Sequence, residues 1–260
     1  MSVNLSIEWG VANVPHPDKG SGEDTWFITP NAAAVFDGVG SWADQGINPV
    51  FWSMAMADGC REAILTGKEG PISVLKAGYR NAQHSGFEGS CTACLTIMNA
   101  NGNLAIGNLG DSSVAIYRGN TVVFQTEEQE YTFNYPYQLS SDGDAKPSEA
   151  DRHLITSLKS GDYVVLGTDG LWDNLYHREI TKFMDDDLDC EDVATNLAVS
   201  AFHASNDQKR WSPFGQAAVE NLYADSPYAG EEDFEPPAAP LVEYLGGKPD
   251  DITVIVGRVA

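Results

Sequence analysis

The chain has 260 residues, of which 42% are hydrophobic, so it can bury a sizeable core in one large domain or two small ones. Its formal net charge of −23 at pH 7 excludes nucleic acid as a favourable partner, because phosphate would be repelled, and favours divalent cations or basic partners. No apolar segment approaches the roughly 18 residues of a membrane-spanning helix, so we expect no membrane span.

The cysteines and the N-terminus indicate an intracellular protein. Cys60, Cys91, Cys94 and Cys190 are too few and too scattered for a disulfide framework. Cys91 and Cys94 share a segment that is typical of a strand, where a spacing of three places side chains on opposite faces. We expect buried, reduced thiols in a reducing compartment. The first Lys is Lys19 and the first Arg is Arg61, so we expect no targeting segment in this chain, which is either cytoplasmic or already trimmed of a targeting peptide such as a mitochondrial one.

The first half of the chain is predicted to combine strands with a pair of helices. A strand from Leu5 to Val14 precedes a turn-rich loop, residues 15–22. A short strand, Thr25–Thr29, leads into Ala32–Phe36, an apolar run that indicates a buried strand and that Asp37-Gly38 ends abruptly. The elements expected next are helices from Pro49 to about Leu65 and from Pro71 to about His84, then a three-strand meander over Ser90–Asn99, Asn103–Asn108 and Ser112–Tyr117.

The second half repeats this pattern after an irregular segment. A strand over Thr121–Gln125 is followed by a polar excursion, residues 126–153. Residues 225–240 are rich in acidic residues, Pro and Ala, which indicates a mobile surface insertion. The order of elements predicts a single domain over residues 1–260, an α+β sandwich of two antiparallel sheets with helices outside. The remaining predicted elements are an apolar strand over Tyr163–Gly170, helices over about 178–184 and 190–205, and a last strand over Ile252–Val259.

Carboxylates recur at the ends of the predicted strands. Asp37, Asp111 and Asp169 each follow an apolar strand and adjoin a glycine. Three strands that each deliver a carboxylate at one end suggest a shared oxygen-ligand site for hard cations. Glu23-Asp24 precede a strand, where they are either a solvated strand start or are carried to the same end of the sheet, and Asp250-Asp251 place a further carboxylate pair at the start of the last strand.

Five segments together resemble the metal-dependent protein phosphatases of type 2C, the PPM family. Their order and approximate spacing agree with that family over nearly the whole chain, and the Asp-Gly-Val-Gly form is similar to its organellar subgroup. The segments are Gly22-Glu23-Asp24, Asp37-Gly38-Val39-Gly40, Gly107-Asn108-Leu109-Gly110-Asp111-Ser112, Thr168-Asp169-Gly170-Leu171-Trp172-Asp173 and Pro249-Asp250-Asp251-Ile252-Thr253.

The resemblance implies a four-layer αββα sandwich with two Mn²⁺ or Mg²⁺ ions in a cleft between the sheets. Asp37 would bridge both ions, and the carbonyl of Gly38 would join it. The other implied roles are Glu23 as ligand of one ion, Asp169 and Asp250 as ligands of the other, Asp24 as a hydrogen-bonding partner of water at the metal pair, and Asp111 and Asp173, with Asp169, as ligands of a weaker third ion.

The implied chemistry is hydrolysis of phosphoserine and phosphothreonine in proteins. Two adjacent ions neutralise the phosphate, orient it and lower the pKa of a bridging water, which then attacks in line. Hard ions prefer oxygen ligands, which explains the carboxylates.

Two positions depart from the family. Lys19 stands where the family commonly has a phosphate-binding Arg, and Lys can attract phosphate only as a point charge. Val39 replaces a His proposed as general acid in many relatives, and Val cannot donate a proton. The lone loop histidine nearest in sequence to the site is His16, which is either catalytic or simply solvated.

Two alternatives stay open. A catalytically inactive member would keep the sandwich as a binding module, but such relatives typically lose metal carboxylates. A regulator phosphatase would keep the chemistry and act on one small phosphoprotein. We expect an active, monomeric enzyme.

Overall fold

The computed structural model describes residues 5–224 and 244–260, so the predicted insertion at 225–240 lies outside the described residues. The strands are β1 Ile7–Val14, β2 Thr25–Thr29, β3 Ala32–Phe36, β4 Ser90–Cys91, β5 Ala93–Met98, β6 Leu104–Leu109, β7 Ser113–Arg118, β8 Thr121–Gln125, β9 Glu130–Thr132, β10 Tyr135–Pro136, β11 Leu139–Ser140, β12 Asp151–Ile155, β13 Tyr163–Gly167 and β14 Ile252–Val259. The α-helices are α1 Val50–Leu65, α2 Pro71–Ser85, α3 Asp169–Trp172, α4 His177–Ile180, α5 Cys190–Ser205 and α6 Pro213–Ala224.

Two five-stranded antiparallel sheets form the centre of the molecule. The first sheet has the order β1-β14-β13-β7-β8, and the second has the order β12-β6-β5-β3-β2. The long pair β1–β14 runs in register from Ile7 opposite Val259 to Val14 opposite Ile252. Because β13 pairs with β14 on the other side, the segments before β14 and after β13 emerge at the same end of the first sheet.

The layers follow from how each central strand divides its side chains. In β3, Ala32, Ala34 and Phe36 belong to the core beneath α1 and α2, whereas Ala33 and Val35 belong to the core between the sheets. This period of two is the normal alternation of a strand that is covered on both faces. On the other side, α5 packs on β1 and β14. The result is a sandwich in the order helices, sheet, sheet, helices, as predicted.

The predicted three-strand meander is wrong, because its third strand lies in the other sheet. β5 and β6 pair within the second sheet, but β7 pairs with β13 and β8 in the first. The chain crosses between the sheets over residues 110–112. Apolar pattern and turn chemistry identify strands, but they do not reveal which of two stacked sheets a strand joins.

Three further differences concern local elements. The segment 126–153 is largely irregular, as predicted, but it ends in β12, an edge strand paired with β6. The apolar run predicted to reach Gly170 stops as a strand at Gly167, and Asp169 begins the short helix α3. The helix α6 had no counterpart in the sequence prediction.

The cysteines and the helices agree with two simpler expectations. All four cysteines are free and buried, and Cys91 and Cys94 contribute to different cores, which agrees with the predicted opposite orientation, although they lie in separate strands, β4 and β5. Within residues 5–224 and 244–260, no helix is long and apolar enough to cross a membrane.

Candidate active site

The end of β3 holds Asp37 against the neighbouring strand segment. The backbone N–H of Asp37 donates to Thr92 Oγ1 at 3.3 Å, and the Thr92 N–H donates back to the Asp37 carbonyl at 2.9 Å. Gly38 then bridges to Cys91. A Cβ on Gly38 would lie 2.6 Å from the carbonyl oxygen of Glu23, so this close approach requires glycine. Asp37 is therefore fixed at the edge of the second sheet.

Asp111 lies in the segment that crosses from β6 in the second sheet to β7 in the first. Gly110 makes the turn with φ of +98°, and a Cβ there would lie 2.7 Å from both Thr92 Cγ2 and the carbonyl oxygen of Tyr137. The hydroxyl groups of Ser112 and Thr92 are 2.8 Å apart and tie the turn to the Asp37 segment. The carboxylate of Asp111 is buried where the two sheets meet.

The first sheet contributes Asp169, Asp173 and Asp250. Asp169 begins α3 directly after β13, and Asp173 ends it, with its N–H donating to the Asp169 carbonyl at 2.8 Å. Asp250 immediately precedes Asp251 and β14. Because β13 and β14 are neighbours, these three carboxylates share one end of the sheet.

Asp251 accepts backbone hydrogen bonds from the loop that carries Glu23 and Asp24. One of its oxygens accepts the His16 N–H at 2.7 Å, and the other accepts the Glu23 N–H at 2.9 Å. Lys19 Nζ lies 3.4 Å from the same carboxylate. The loop between β1 and β2 is thus tied to the start of β14, which brings Glu23 to the end of the sheet where Asp250 lies.

Asp24 is held beside the site by two threonines. Its Oδ2 accepts hydrogen bonds from Thr168 Oγ1 at 2.9 Å and Thr253 Oγ1 at 2.7 Å. Its Oδ1 is buried without a hydrogen-bond partner among the described residues. One oxygen is therefore fixed, and the other is left without a partner in that part of the chain.

These segments enclose a cavity of about 240 Å³ between the ends of the two sheets. Glu23, Asp24 and Asp173 do not line it directly. Glu23 and Asp173 each contact a lysine that does, and Asp24 is bonded to Thr168 and Thr253 beside it. The cavity brings together six of the residues predicted for the site, namely Lys19, Asp37, Gly38, Asp111, Asp169 and Asp250. Its other lining residues are Val39, Gly40, Thr92, Asn134, Pro136 and Lys248.

Two lysines compensate part of the negative charge. Lys19 Nζ lies 2.6 Å from Glu23 Oε2 and 3.6 Å from Asp250 Oδ1. Lys19 is therefore paired with carboxylates of the site and is not simply a solvated lysine of the loop. Lys248 Nζ pairs with Asp169 and lies 2.6 Å from Asp173 Oδ2. Carboxyl groups outnumber these two ammonium groups, which leaves the cavity acidic.

The crowding of carboxylates changes their pKa values. Burial, followed by the neighbouring negative charges, raises the pKa of Asp37 well above its usual range. The same two causes raise the pKa of Asp250 to about 6. For Asp24, burial and the charge of Asp251 outweigh the two threonine hydrogen bonds and raise the pKa to about 8. Burial acts on Asp169 too, but the charge and hydrogen bond of Lys248 lower its pKa below the usual value.

The predicted ligand atoms are of the kind that hard divalent cations bind. Every predicted ligand offers oxygen, which Mn²⁺ and Mg²⁺ prefer. Asp111 Oδ1 and Asp24 Oδ1 are buried without a hydrogen-bond partner among the described residues, and a nearby cation would satisfy them. Within residues 5–224 and 244–260, however, no three His, Cys, Asp or Glu side chains form a group that could hold an ion. The carboxylates are arranged around the two lysines instead, most tightly at Asp169 and Asp173.

Sequence reasoning missed the roles of Lys248, Asp251 and Asn134. Lys248 is one of only 15 basic residues and stands two positions before Asp250, which was the available signal. Asp251 belongs to a recognised motif, but only its neighbour was assigned a role. Asn134 has φ of +56° at the turn between β9 and β10, and only folding brings that turn to the cavity.

Neither Val39 nor His16 is placed to donate a proton to the leaving group in this structure. Val39 lines the cavity with an apolar side chain. His16 does not line it, and its Nδ1 accepts the Asp18 N–H at 3.1 Å within the loop.

A two-sheet αββα sandwich with an acidic, oxygen-lined cleft between the sheets is the architecture of metal-dependent protein phosphatases. Residues 22–201 match the family model described as "Protein phosphatase 2C". The chain belongs to the protein phosphatase 2C family.

Individual relatives agree with this assignment. "Probable protein phosphatase 2C 80" of Arabidopsis thaliana is 35% identical over 268 residues, which cover 98% of this chain and 59% of the relative, so the chain spans little more than half of that protein. The solved structure of the photosystem II phosphatase PBCP is 29% identical, with a TM-score of 0.84 and coverage of 98% and 99%. The catalytic domain of PstP, solved with two manganese ions, shares the fold with a TM-score of 0.66 at 15% identity and coverage of 98% and 99%.

Proposed function

We propose that this chain is an active protein phosphatase that hydrolyses phosphoserine and phosphothreonine monoesters with two divalent ions, Mn²⁺ or Mg²⁺. The observation that carries the proposal is the acidic cavity between the sheets, which gathers carboxylates from four separate parts of the chain. Burying so many like charges costs stability, and a cation site is the function that explains their retention.

The proposed ligands divide by the sheet that carries them. Asp37 and the Gly38 carbonyl lie at the end of the second sheet and would serve both ions, with Glu23 as a further ligand of one. Asp169 and Asp250 lie at the end of the first sheet and would hold the other. When bound, two such ions neutralise the phosphate dianion and make water at the site nucleophilic near neutral pH.

The remaining residues would position the reactants. Asp24 keeps one oxygen fixed by Thr168 and Thr253 and the other unpaired, so it can accept a hydrogen bond from the attacking water. Lys19 lines the cavity, and its ammonium group can donate to a phosphate oxygen. Water oxygen then forms a bond to phosphorus while the seryl or threonyl oxygen leaves and takes up a proton, giving an alcohol and inorganic phosphate.

The binding-module alternative receives less support. An inactive relative typically loses metal carboxylates, and this chain retains all those in the family pattern, arranged around one cavity. The regulator alternative differs only in substrate and is compatible with the same site. We further propose a monomeric enzyme in a reducing compartment, consistent with its free cysteines.

The decisive experiment measures turnover as a function of metal. The purified chain is assayed on an aryl phosphate and a phosphothreonine peptide, first after chelation and then with Mn²⁺ or Mg²⁺ added back. We expect activity on both substrates only with the ions. Activity that survives thorough chelation contradicts the two-ion mechanism, and inactivity with every divalent ion favours the binding module.

A further inference from the structure

Lys248 is the most confined basic side chain in the cleft. Its ammonium group pairs with Asp169, lies 2.6 Å from Asp173 Oδ2 and lies 3.8 Å from Asp250 Oδ2. A fourth side is covered by the ring of Phe214, whose centroid is 5.1 Å from Nζ. The lysine side chain is only 18% exposed, compared with 31% for Lys19. Carboxylates and an aromatic face together form a complete cation site.

The backbone of Lys248 is fixed by the same turn that carries Asp173. The Lys248 N–H donates to Asn174 Oδ1 at 2.9 Å, and Asn174 Nδ2 donates to the Lys248 carbonyl at 2.9 Å. Asn174 is fully buried. Pro249 follows and restricts the backbone of Lys248 further. The ammonium group is therefore held in place by the fold and not by the flexible side chain alone.

This arrangement disagrees with one expectation from the family resemblance. Asp111, Asp169 and Asp173 match the ligands of a weaker third ion, but the cation that the structure places between Asp169 and Asp173 is an ammonium group of the chain. An ion added at the same point would lie within contact distance of Lys248 Nζ, and the two positive charges would repel each other.

We propose that Lys248 is the resident cation at the Asp169–Asp173 end of the cleft, so that this enzyme takes two divalent ions and no third. The inference rests on the function proposed above. Asp169 keeps its other oxygen for the ion that it shares with Asp250, because Lys248 pairs with Oδ2. Asp173 is then a positioning residue that acts through Lys248 and is not a metal ligand.

The experiment counts ions bound per chain, using the paramagnetic resonance signal of free Mn²⁺ together with calorimetric titration. We expect two ions for the wild type. Lys248→Met removes the ammonium group, keeps most of the side-chain volume, and should gain a third, weaker ion. Adding Asp173→Asn to that variant should remove the gained ion. Lys76→Met, which makes the same charge change on an exposed position of α2, should leave the count at two.

The outcomes separate this proposal from the general function. A third ion in the wild type that Asp173→Asn removes overturns the role of Lys248, and so does an unchanged count of two in Lys248→Met. If Lys248→Met does not fold, the ion counts of the wild type and of Asp173→Asn decide the question. Two bound ions in each of these proteins support the proposal. A wild type that binds no ion and has no turnover overturns the proposed function and the two-ion count with it.

Discussion

At the scale of single residues, Lys248 reverses the effect of burial on Asp169 but not on Asp173, whose pKa is still raised to about 7 by burial. Asp37 and Asp169 line the same cavity, and burial acts on both carboxylates. The pKa of Asp37 is raised, because burial and neighbouring negative charges favour its neutral form. The pKa of Asp169 is lowered, because Lys248 outweighs its burial. A divalent ion beside Asp37 would act as Lys248 acts on Asp169, and would keep Asp37 ionised.

We expect Asp37→Asn to abolish turnover and to weaken ion binding. The substitution removes a charge at the carboxylate proposed to serve both ions, so the loss of kcat should exceed about a hundredfold, the upper range seen when only a metal's outer ligand shell is disturbed. Calorimetry with Mn²⁺ and an aryl phosphate assay measure the two effects. Asp187→Asn, an exposed position with the same charge change, is the control and should resemble the wild type. Full activity with undiminished ion binding in Asp37→Asn would contradict the assignment.

Lys19→Ala should lower kcat/KM on a phosphopeptide by about ten- to a hundredfold. If Lys19 meets the phosphate, its loss removes a charge-assisted hydrogen bond of roughly 1.5–3 kcal/mol. Lys19→Arg should retain activity, because a guanidinium group can bind phosphate through two hydrogen bonds. Phosphopeptide kinetics at saturating Mn²⁺ make the measurement. An unaltered kcat/KM in Lys19→Ala would remove this residue from the phosphate site.

Residues in the recognised motifs could be placed from the sequence, because each motif ties a residue type to one task. The structure brings Lys19, Asp37, Asp111, Asp169 and Asp250 to one cavity, although their metal and phosphate roles stay predictions. Lys248 could not be placed, because its role depends on contacts with α3 and with the ring of Phe214, which are distant in sequence.

At the scale of elements, the crossing from β6 to β7 is the connection that joins the two sheets at the site. Residues 110–112 leave the second sheet and enter the first within three positions, and Asp111 lies at the midpoint. A hairpin within one sheet would have carried Asp111 along the sheet edge instead. The difference that made the meander prediction wrong is therefore the one that brings Asp111 to the cavity.

Gly110→Ala should destabilise the protein by about 2–5 kcal/mol and reduce turnover. The added Cβ meets two neighbours at 2.7 Å in a backbone conformation with φ of +98°. Gly119→Ala is the matched control, since its φ is also positive, +56°, but its Cβ would meet nothing within 4 Å. It should cost only about 1–2 kcal/mol for the backbone strain. Urea unfolding gives both values, and equal costs would show that the contacts at Gly110 do not constrain the crossing.

Elements with a clear apolar pattern and marked ends were mostly predicted well from the sequence, whereas the polar edge strand β12 and the helix α6 were missed. β8, α5 and β14 have the predicted limits, because an apolar pattern of the right period and clear turn residues define each of them. β12 was missed because it is an edge strand with the charged sequence Asp-Arg-His. The N-terminus of α6 carried a usable signal, Ser212 before Pro213, and Ser212 Oγ indeed accepts the Gly215 N–H at 3.1 Å.

At the scale of the whole molecule, acidity and metal binding belong together. The formal net charge of −23 repels itself in the folded state, and part of it is concentrated in one buried cavity. Ions bound there would relieve local repulsion and bind only the folded chain. The stability of the fold should therefore depend on both metal and pH.

Mn²⁺ should raise the Tm, and the chelated protein should lose stability as the pH rises from 5 to 8. The pKa values of Asp250, Asp173 and Asp24 are raised to about 6, 7 and 8, chiefly by burial. Between their unfolded values near 4 and these folded values, the folded chain binds more protons than the unfolded chain, so unfolding becomes easier as the pH increases.

Mn²⁺ at a hundred times its dissociation constant should add about 2.7 kcal/mol, or roughly 5–10 °C in Tm. Because the ions replace protons as the partners of these carboxylates, the Mn²⁺-dependent gain in Tm should be larger at pH 8 than at pH 5. Calorimetric scans of the chelated and Mn²⁺-loaded protein across this range test both effects, with Asp37→Asn as the variant that should lose the metal response. Chelated protein whose stability rises steadily from pH 5 to 8 would contradict the raised pKa values of these carboxyl groups, and a Tm that ignores Mn²⁺ would show that the cavity is not a cation site.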